Sequence, residues 1–195
     1  FSVCLEWRGR PVITDPGTFL YTPDPEARNR FRSTLFHNTV MIDGREQREL
    51  SDGSFLLRGS DESFQARPMG EEVWAFTRPL APGVSHRREI RVRAGEVSIR
   101  DVVEGSGSHQ LQWRFHVHPS VQPQLAAPGF TLMVPETGPL LLEAEDRRVS
   151  FEITASEYSP AYGRRQPSLA CSAQGEFSLP VSVEWRLRAG GNAPP

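Results

Sequence analysis

From Val73 onward the chain repeats a single pattern: strand-sized segments cut by turns rich in glycine, proline and serine. Segments at 73–80, 84–93, 97–104 and 110–118 are separated by Ala81-Pro82-Gly83, Ala94-Gly95 and Gly105-Ser106-Gly107-Ser108. Within them Ile90, Val92, Val97, Ile99 and either Val102 or Val103 share one side, and the arginines are expected on the other. Alternation with a period of two is what a strand needs to bury one face and wet the other. After a proline-rich bend at 119–128, shorter candidates recur near 130–134, 139–144, 148–155, 168–173 and 177–187. This series predicts an all-β chain. Its roughly fifteen strands exceed an immunoglobulin-like module, so the expected architecture is a large two-sheet antiparallel β-sandwich. At 195 residues one core suffices. We expect one domain over residues 1–188 and a disordered tail over residues 189–195.

The first third is less regular. Residues 2–7 and 10–14 read as a hairpin around Arg8-Gly9, and the second strand runs into the turn Asp15-Pro16-Gly17. The loop 21–32 carries two prolines and three arginines, which excludes a central strand or a long helix and places it over an edge or a face. A strand over 38–42 follows, closed by Asp43-Gly44, a hairpin signal. Further strand character runs through 46–58, with turns at Ser51-Asp52-Gly53 and Gly59-Ser60-Asp61. His37 thus sits at a strand entrance and Asp15 at a strand exit. If those strands are neighbours, a carboxylate and an imidazole meet at one rim. The chain opens inside a strand pattern without an initiator Met, as an excised piece of a longer protein would.

Composition removes several function classes. The net charge is -2, from 22 basic and 24 acidic residues, so nothing general draws the chain to nucleic acid or to an anionic membrane. Any polyanion has to be met locally. No apolar run approaches the roughly 18 residues of a spanning helix. Cys4 and Cys171 lie far apart in apolar contexts and are expected as buried free thiols. No G-x-S-x-G, phosphate-cradling glycine loop, C-x-x-C or H-E-x-x-H occurs, so an independent hydrolase has little to recommend it.

On residue chemistry alone, Asp15 and His37 read either as a turn cap and a strand-end histidine or as a ligand pair. Arg28, Arg30 and Arg32 are a solvated loop or, through the guanidinium fork, partners for carboxylate or sulfate oxygens. Tyr21 either packs or stacks on a sugar. Asn38 is a weaker candidate of the same kind. His116 and His118, two apart, face one way and are expected to pack, because no Cys, Asp or Glu completes a ligand set nearby. Tyr158 and Tyr162, around Ser159-Pro160, are expected as a turn clamp, with Arg164 and Arg165 on the surface.

DPGTFLYT, then R-x-x-F-R-S-T-x-x-H-N-T-V, then I-D-G-x-x-Q resembles the β-sandwich that follows the helical toroid in heparinase II/III-type polysaccharide lyases. Weaker echoes are Trp113-Arg114-Phe115-His116-Val117-His118-Pro119 and Ser159-Pro160-Ala161-Tyr162-Gly163. The resemblance implies a supersandwich-like fold and a structural zinc ion held by Asp15 and His37, with a third ligand from an H-x-D or H-x-H-x-D element upstream of Phe1. Zinc accepts such a carboxylate and imidazole set. It also implies β-elimination on a uronate-containing polysaccharide, heparin/heparan- or alginate-like, in a bacterial periplasmic or secreted enzyme. The catalytic tyrosine and histidine would come mainly from the toroid, and Tyr21, Arg32 and Asn38 from this domain would line the cleft. By itself the chain is expected to be inactive. The alternatives are a non-catalytic carbohydrate-binding or interdomain module and a mutarotase-like sugar-binding sandwich built around His116 and His118.

Overall fold

In the computed structural model, residues 1–50, 57–58, 65–68 and 73–191 are described. The turns expected at 51–53 and 59–61 lie outside them. The strands are β1 (Leu5–Trp7), β2 (Arg10–Ile13), β3 (Val40–Ile42), β4 (Glu49–Leu50), β5 (Leu57–Arg58), β6 (Gln65–Pro68), β7 (Val73–Ala81) and β8 (Val84–Arg93). They continue with β9 (Glu96–Glu104), β10 (Ser108–His116), β11 (Gln122–Ala126), β12 (Gly129–Val134), β13 (Gly138–Glu143), β14 (Ser150–Ala161), β15 (Arg164–Ser178) and β16 (Val181–Ala189). One α-helix, α1 (Pro25–Arg32), and a 3-10 turn (Thr34–Phe36) lie between β2 and β3.

Two antiparallel sheets face each other. The larger runs β11-β12-β13-β16-β9-β8-β7-β6, the smaller β14-β15-β10-β3, and the pairs β1-β2 and β4-β5 stand beside them. On β16, Val181, Val183, Trp185 and Leu187 are buried while Ser182, Glu184, Arg186 and Arg188 are exposed. From the opposite sheet β10 sends in Leu111, Trp113 and Phe115. Trp113 and Phe115 meet Trp185 at ring separations of 5.8 and 4.9 Å, and Phe177 and Phe151 close around them edge-on. Large rings burying their whole surface dominate such a core, at about 25 cal/mol for each Å² removed from water.

Several expectations change. Val92, expected inward, is 56% exposed. Arg88, expected outward with the other arginines, is fully buried beside His86 on the inner face of β8. Cys171 is a buried free thiol but Cys4, just before β1, is exposed. The tail begins later than 189, since β16 includes Ala189 and the Gly190 amide donates to the Pro139 carbonyl at 2.9 Å. Residues 192–195 lie outside the described set.

The loop expected over 21–32 contains a helix, one that two prolines permit because of where they fall. Pro25 occupies the first turn, where its missing N–H is not needed, and the Asp24 side chain caps by accepting from the Ala27 amide at 2.9 Å. Arg30 and Arg32 end it, in favour with the helix dipole. Ala27 and Phe31, one turn apart, bury against Phe19 and Phe36 in a small second core. Eight residues make it short, which agrees with the exclusion of a long helix.

Candidate functional site

The Asp15–His37 rim comes from how β10 is covered along one edge. β3 pairs with its first half, with Ile42 opposite Leu111 and Val40 opposite Trp113. Further along, the same edge is taken by the end of β2: Ile13 bridges Val117, and the Thr14 amide donates to the His116 carbonyl at 2.9 Å. β2 and β3 are therefore not side-by-side neighbours. They lie in line along β10, and the exit of one meets the entrance of the other.

Asn38 fills that junction. It is fully buried. Its side-chain amide donates to the carbonyls of Val3 and Thr14 at 2.7 and 3.0 Å, and its Oδ1 accepts from the His116 amide at 2.7 Å. It completes the ladder that β2 and β3 leave open. Expected at the cleft wall, Asn38 lies beneath the surface with both side-chain polar atoms engaged, where it holds the rim together.

Above it, His37 Nδ1 and Asp15 Oδ2 face each other 2.8 Å apart. Asp15 Oδ1 accepts from the Gly17 amide at 3.0 Å, and Oδ2 also from the Ser2 hydroxyl at 3.2 Å. Burial pushes the Asp15 carboxyl up, but the His37 hydrogen bond and charge, with those two donors, hold it below the usual carboxylate value. Ser2 Oγ also accepts from the Asn38 amide at 3.1 Å. Ser2 therefore runs directly against the pair.

His37 lines a cavity of about 270 Å³ together with Arg32, Thr39, Glu46, Arg48 and Arg78. Three guanidinium groups against one carboxylate make it locally basic in a chain of net charge -2. The end of the I-D-G-x-x-Q element, Glu46 and Gln47, is part of its lining. Gln47 donates to the Val40 carbonyl at 2.7 Å and accepts from Arg78 Nη1 at 2.9 Å, so β7 and β3 are tied through one side chain. Glu46 Oε2 accepts from the Thr34 amide at 2.6 Å and fixes the 3-10 turn before His37. Arg48 and Arg78 were missed in the sequence, although Gln47 stood inside a motif already singled out.

The three arginines of α1 part company. Arg32 joins the cavity. Arg28 is buried and donates to the Tyr21 carbonyl at 3.2 Å. Arg30 pairs with Glu157. Tyr21 is not among the cavity residues; it is 42% exposed and stacks on Tyr162. His116 and His118 pack, as expected. His116 Nε2 donates to the Leu35 carbonyl at 2.8 Å and its Nδ1 accepts from Ser156 Oγ at 2.7 Å. Burial lowers its pKa to about 4, so at neutral pH the ring is uncharged. His118 meets Tyr158 edge-on.

Beneath the rim lies a buried ion pair. Asp101 accepts from Arg88 Nε and Nη2 at 2.7 and 2.8 Å, from Trp113 Nε1 at 3.0 Å and from His86 Nε2 at 2.7 Å. Burial alone would raise the Asp101 carboxyl; the adjoining Arg88 charge and these donors hold it far below the usual range. Arg88 Nη1 spends its protons on the Phe1 and Asn38 carbonyls, at 2.7 and 2.6 Å.

The two-sheet sandwich is a fold that solved structures share. Solved structures of similar fold include heparan sulfate lyase HepC from Pedobacter heparinus, with TM-score 0.77 and 17% identity over 100% of this chain and 31% of that one. They also include the heparinase III BT4657 gene product, with TM-score 0.75 and 19% identity over 95% and 28% of the two chains. A further heparinase III has TM-score 0.72 and 15% identity over 95% and 28%. This chain thus spans under a third of those proteins. No curated protein matches it at the sequence level. The family model of the heparinase II/III-like C-terminal domain matches residues 1–186, and the chain belongs to that family.

Among the described residues no group of three or more His, Cys, Asp and Glu could hold a metal ion. The pair Asp15 and His37 fits part of a zinc shell, since carboxylate and imidazole are ordinary zinc donors. The Ser2 hydroxyl, 3.2 Å from Asp15 Oδ2, lies at the same pair.

Proposed function

We propose that this domain forms one wall of the cleft of a bacterial, exported polysaccharide lyase that cleaves uronate-containing polysaccharide by β-elimination. The carrying observation is the basic cavity that joins His37 to Arg32, Arg48 and Arg78. β-Elimination removes the proton α to the uronate carboxylate, and that proton becomes acidic only when the carboxylate is neutralised. Guanidinium forks meet carboxylate or sulfate oxygens with two parallel donors and do so in a fixed direction. Arg32, Arg48 and Arg78 hold the sugar's anionic group, and Tyr21 extends the wall. Asn38 supports the rim from below. The base and the acid come from a helical toroid of the same protein facing this rim.

Asp15 and His37 would hold a zinc ion with a third ligand from the chain upstream of Phe1. Bound there, zinc would pin the Asp15 turn and the His37 entrance to that chain as a structural tie. Proton transfer stays with the toroid groups, while this chain orients the sugar and excludes water.

The experiment is steady-state kinetics on the full-length protein, reading the ultraviolet absorbance of the unsaturated uronate product. Arg32→Ala and Arg78→Ala are expected to lower kcat/KM about 10-fold or more with a folded domain, as the loss of a charged hydrogen bond of about 1.5–3 kcal/mol requires. Unchanged kinetics in both would remove the cavity from the reaction. Elemental analysis of the same protein is expected to find zinc that is lost in Asp15→Ala and His37→Ala.

A further inference from the structure

We propose that Tyr21 and Tyr162 form a second, separate subsite that stacks a ring of an acidic sugar chain. The inference rests on the reading that the domain meets an acidic polysaccharide, and it adds a contact outside the His37 cavity.

The two rings lie 5.4 Å apart with 30° between their planes, and both are well exposed, Tyr162 at 57%. Tyr162, at the hairpin tip, offers the solvent-facing side of the pair. A pyranose ring presents axial C–H groups that suit such a face, while its hydroxyl rim suits the two phenol groups. Tyr162 stands with Gly163 at the tip of the β14–β15 hairpin, between Ala161 and Arg164.

The tip is fastened. The Ser159 amide donates to the Pro16 carbonyl at 2.7 Å, and the Gly163 amide to the Phe19 carbonyl at 2.8 Å. Phe19 itself has φ +61°, a conformation a bulky residue adopts only where its surroundings enforce it. Those surroundings are the Arg165 guanidinium over its ring at 4.8 Å and Phe31 at 5.4 Å. The platform is therefore ordered before any ligand arrives, and rings held in place lose little freedom on binding.

The hairpin side, where Tyr162 stands, favours an acidic chain over a neutral one. Arg30 and Arg165 share Glu157 as a partner. Arg164 makes no ion pair among the described residues and is exposed. Arg30, Arg164 and Arg165 thus stand with Glu157 on the hairpin side of the pair, while Asp24 and Glu26 of α1 stand on the Tyr21 side. The Asp15 turn and α1 connect this place to the rim, so a polysaccharide lying in the cavity can continue across the tip.

The test is a titration of the 195-residue chain with heparan sulfate and alginate oligosaccharides, disaccharide and octasaccharide of each, and with a neutral maltooctaose. Calorimetry reads affinity and NMR of the tyrosine rings and arginine side chains reads place. The octasaccharides are expected to shift Tyr21, Tyr162 and Arg164 as well as the cavity arginines. Tyr162→Ala is expected to weaken an octasaccharide roughly 2- to 10-fold while leaving the disaccharide unchanged, and Tyr162→Phe to keep the affinity. Tyr162 is at the surface, so neither variant threatens the fold. Octasaccharide binding that moves only the cavity residues and ignores Tyr162→Ala overturns the subsite and leaves the proposed function standing. No binding by any acidic oligosaccharide overturns both. Shielding of Tyr162 from solvent in the full-length protein without sugar also overturns the subsite, assigning the dyad to a contact between domains.

Discussion

Arg88 and Asn38 are joined at 2.6 Å, guanidinium to main-chain carbonyl, in the middle of the sandwich. The same guanidinium nitrogen holds the Phe1 carbonyl, and the rest of the group is matched to Asp101. One buried cation therefore fixes the segment that enters the domain and the segment that carries His37. The rim geometry is set from below by charge that no solvent reaches.

Breaking that pair leaves an uncompensated charge between the sheets. Asp101→Asn and Arg88→Met are each expected to cost about 3–5 kcal/mol, read as a lower midpoint in urea unfolding. The double replacement Arg88→Met with Asp101→Leu should recover a large share of the loss, because neither charge is then stranded. Additive losses would show that the carbonyl contacts, not the ion pair, carry the cost.

His116 sets a pH dependence. Its folded pKa, lowered by burial to about 4, lies below the ordinary value of 6.5, so between these pH values the unfolded chain binds the proton and the folded one does not. Stability is then fully present above about 6.5, falls as pH drops, and is lost by about pH 4. The expected loss is roughly 3 kcal/mol. His86, also lowered by burial, acts in the same direction. Unfolding midpoints measured across that window should rise with pH, and the rise should shrink in His116→Gln.

Gly17 is fitted to the hairpin tip. At φ +84° a Cβ there would stand 2.4 Å from the Ser159 carbonyl oxygen, a backbone atom that cannot swing aside. Gly17→Ala is expected to lift the tip off the turn at a cost of about 1–3 kcal/mol. Hydrogen exchange would show it as faster loss of the Ser159 and Gly163 amides with the sheet core unchanged.

The thiols should differ sharply. Cys171 is wholly buried and burial pushes its thiol pKa up, while Cys4 is exposed. A thiol reagent is expected to modify one cysteine in the native protein and both in denaturant. Rapid labelling of both in the native state would contradict the packing around β15.

Much of this was legible where one rule governs one residue. The period-two pattern of β16 and the Arg8-Gly9 and Asp43-Gly44 turns follow from backbone preference, and the positive φ values at all four turn residues match it. The meeting of Asp15 and His37 was legible through the family motifs, although its route, two strands in line along β10, is a property of the assembled sheet. Arg88 shows where a general rule misled. It has the same parity as Ile90 and stands directly across from Asp101, so alternation placed it inside while its charge argued for outside. Opposite charges facing each other at inward parity on adjacent strands were the available signal. Helix α1 was hidden because only Ala27 and Phe31 mark its buried face, and the second core that receives them is built from residues on both sides of it. Arg48 and Arg78 reach the cavity from elements far apart in sequence, and no local pattern announces such a convergence.

The central claim is that this domain walls a β-eliminating cleft, and product formation tests it most directly. The full-length protein, incubated with heparan sulfate and with alginate, should release products with the absorbance of an unsaturated uronate. The rate should fall about 10-fold or more in Arg32→Ala. A folded full-length protein that binds these polysaccharides yet yields no unsaturated product from either would contradict the claim and make the domain a non-catalytic carbohydrate-binding module.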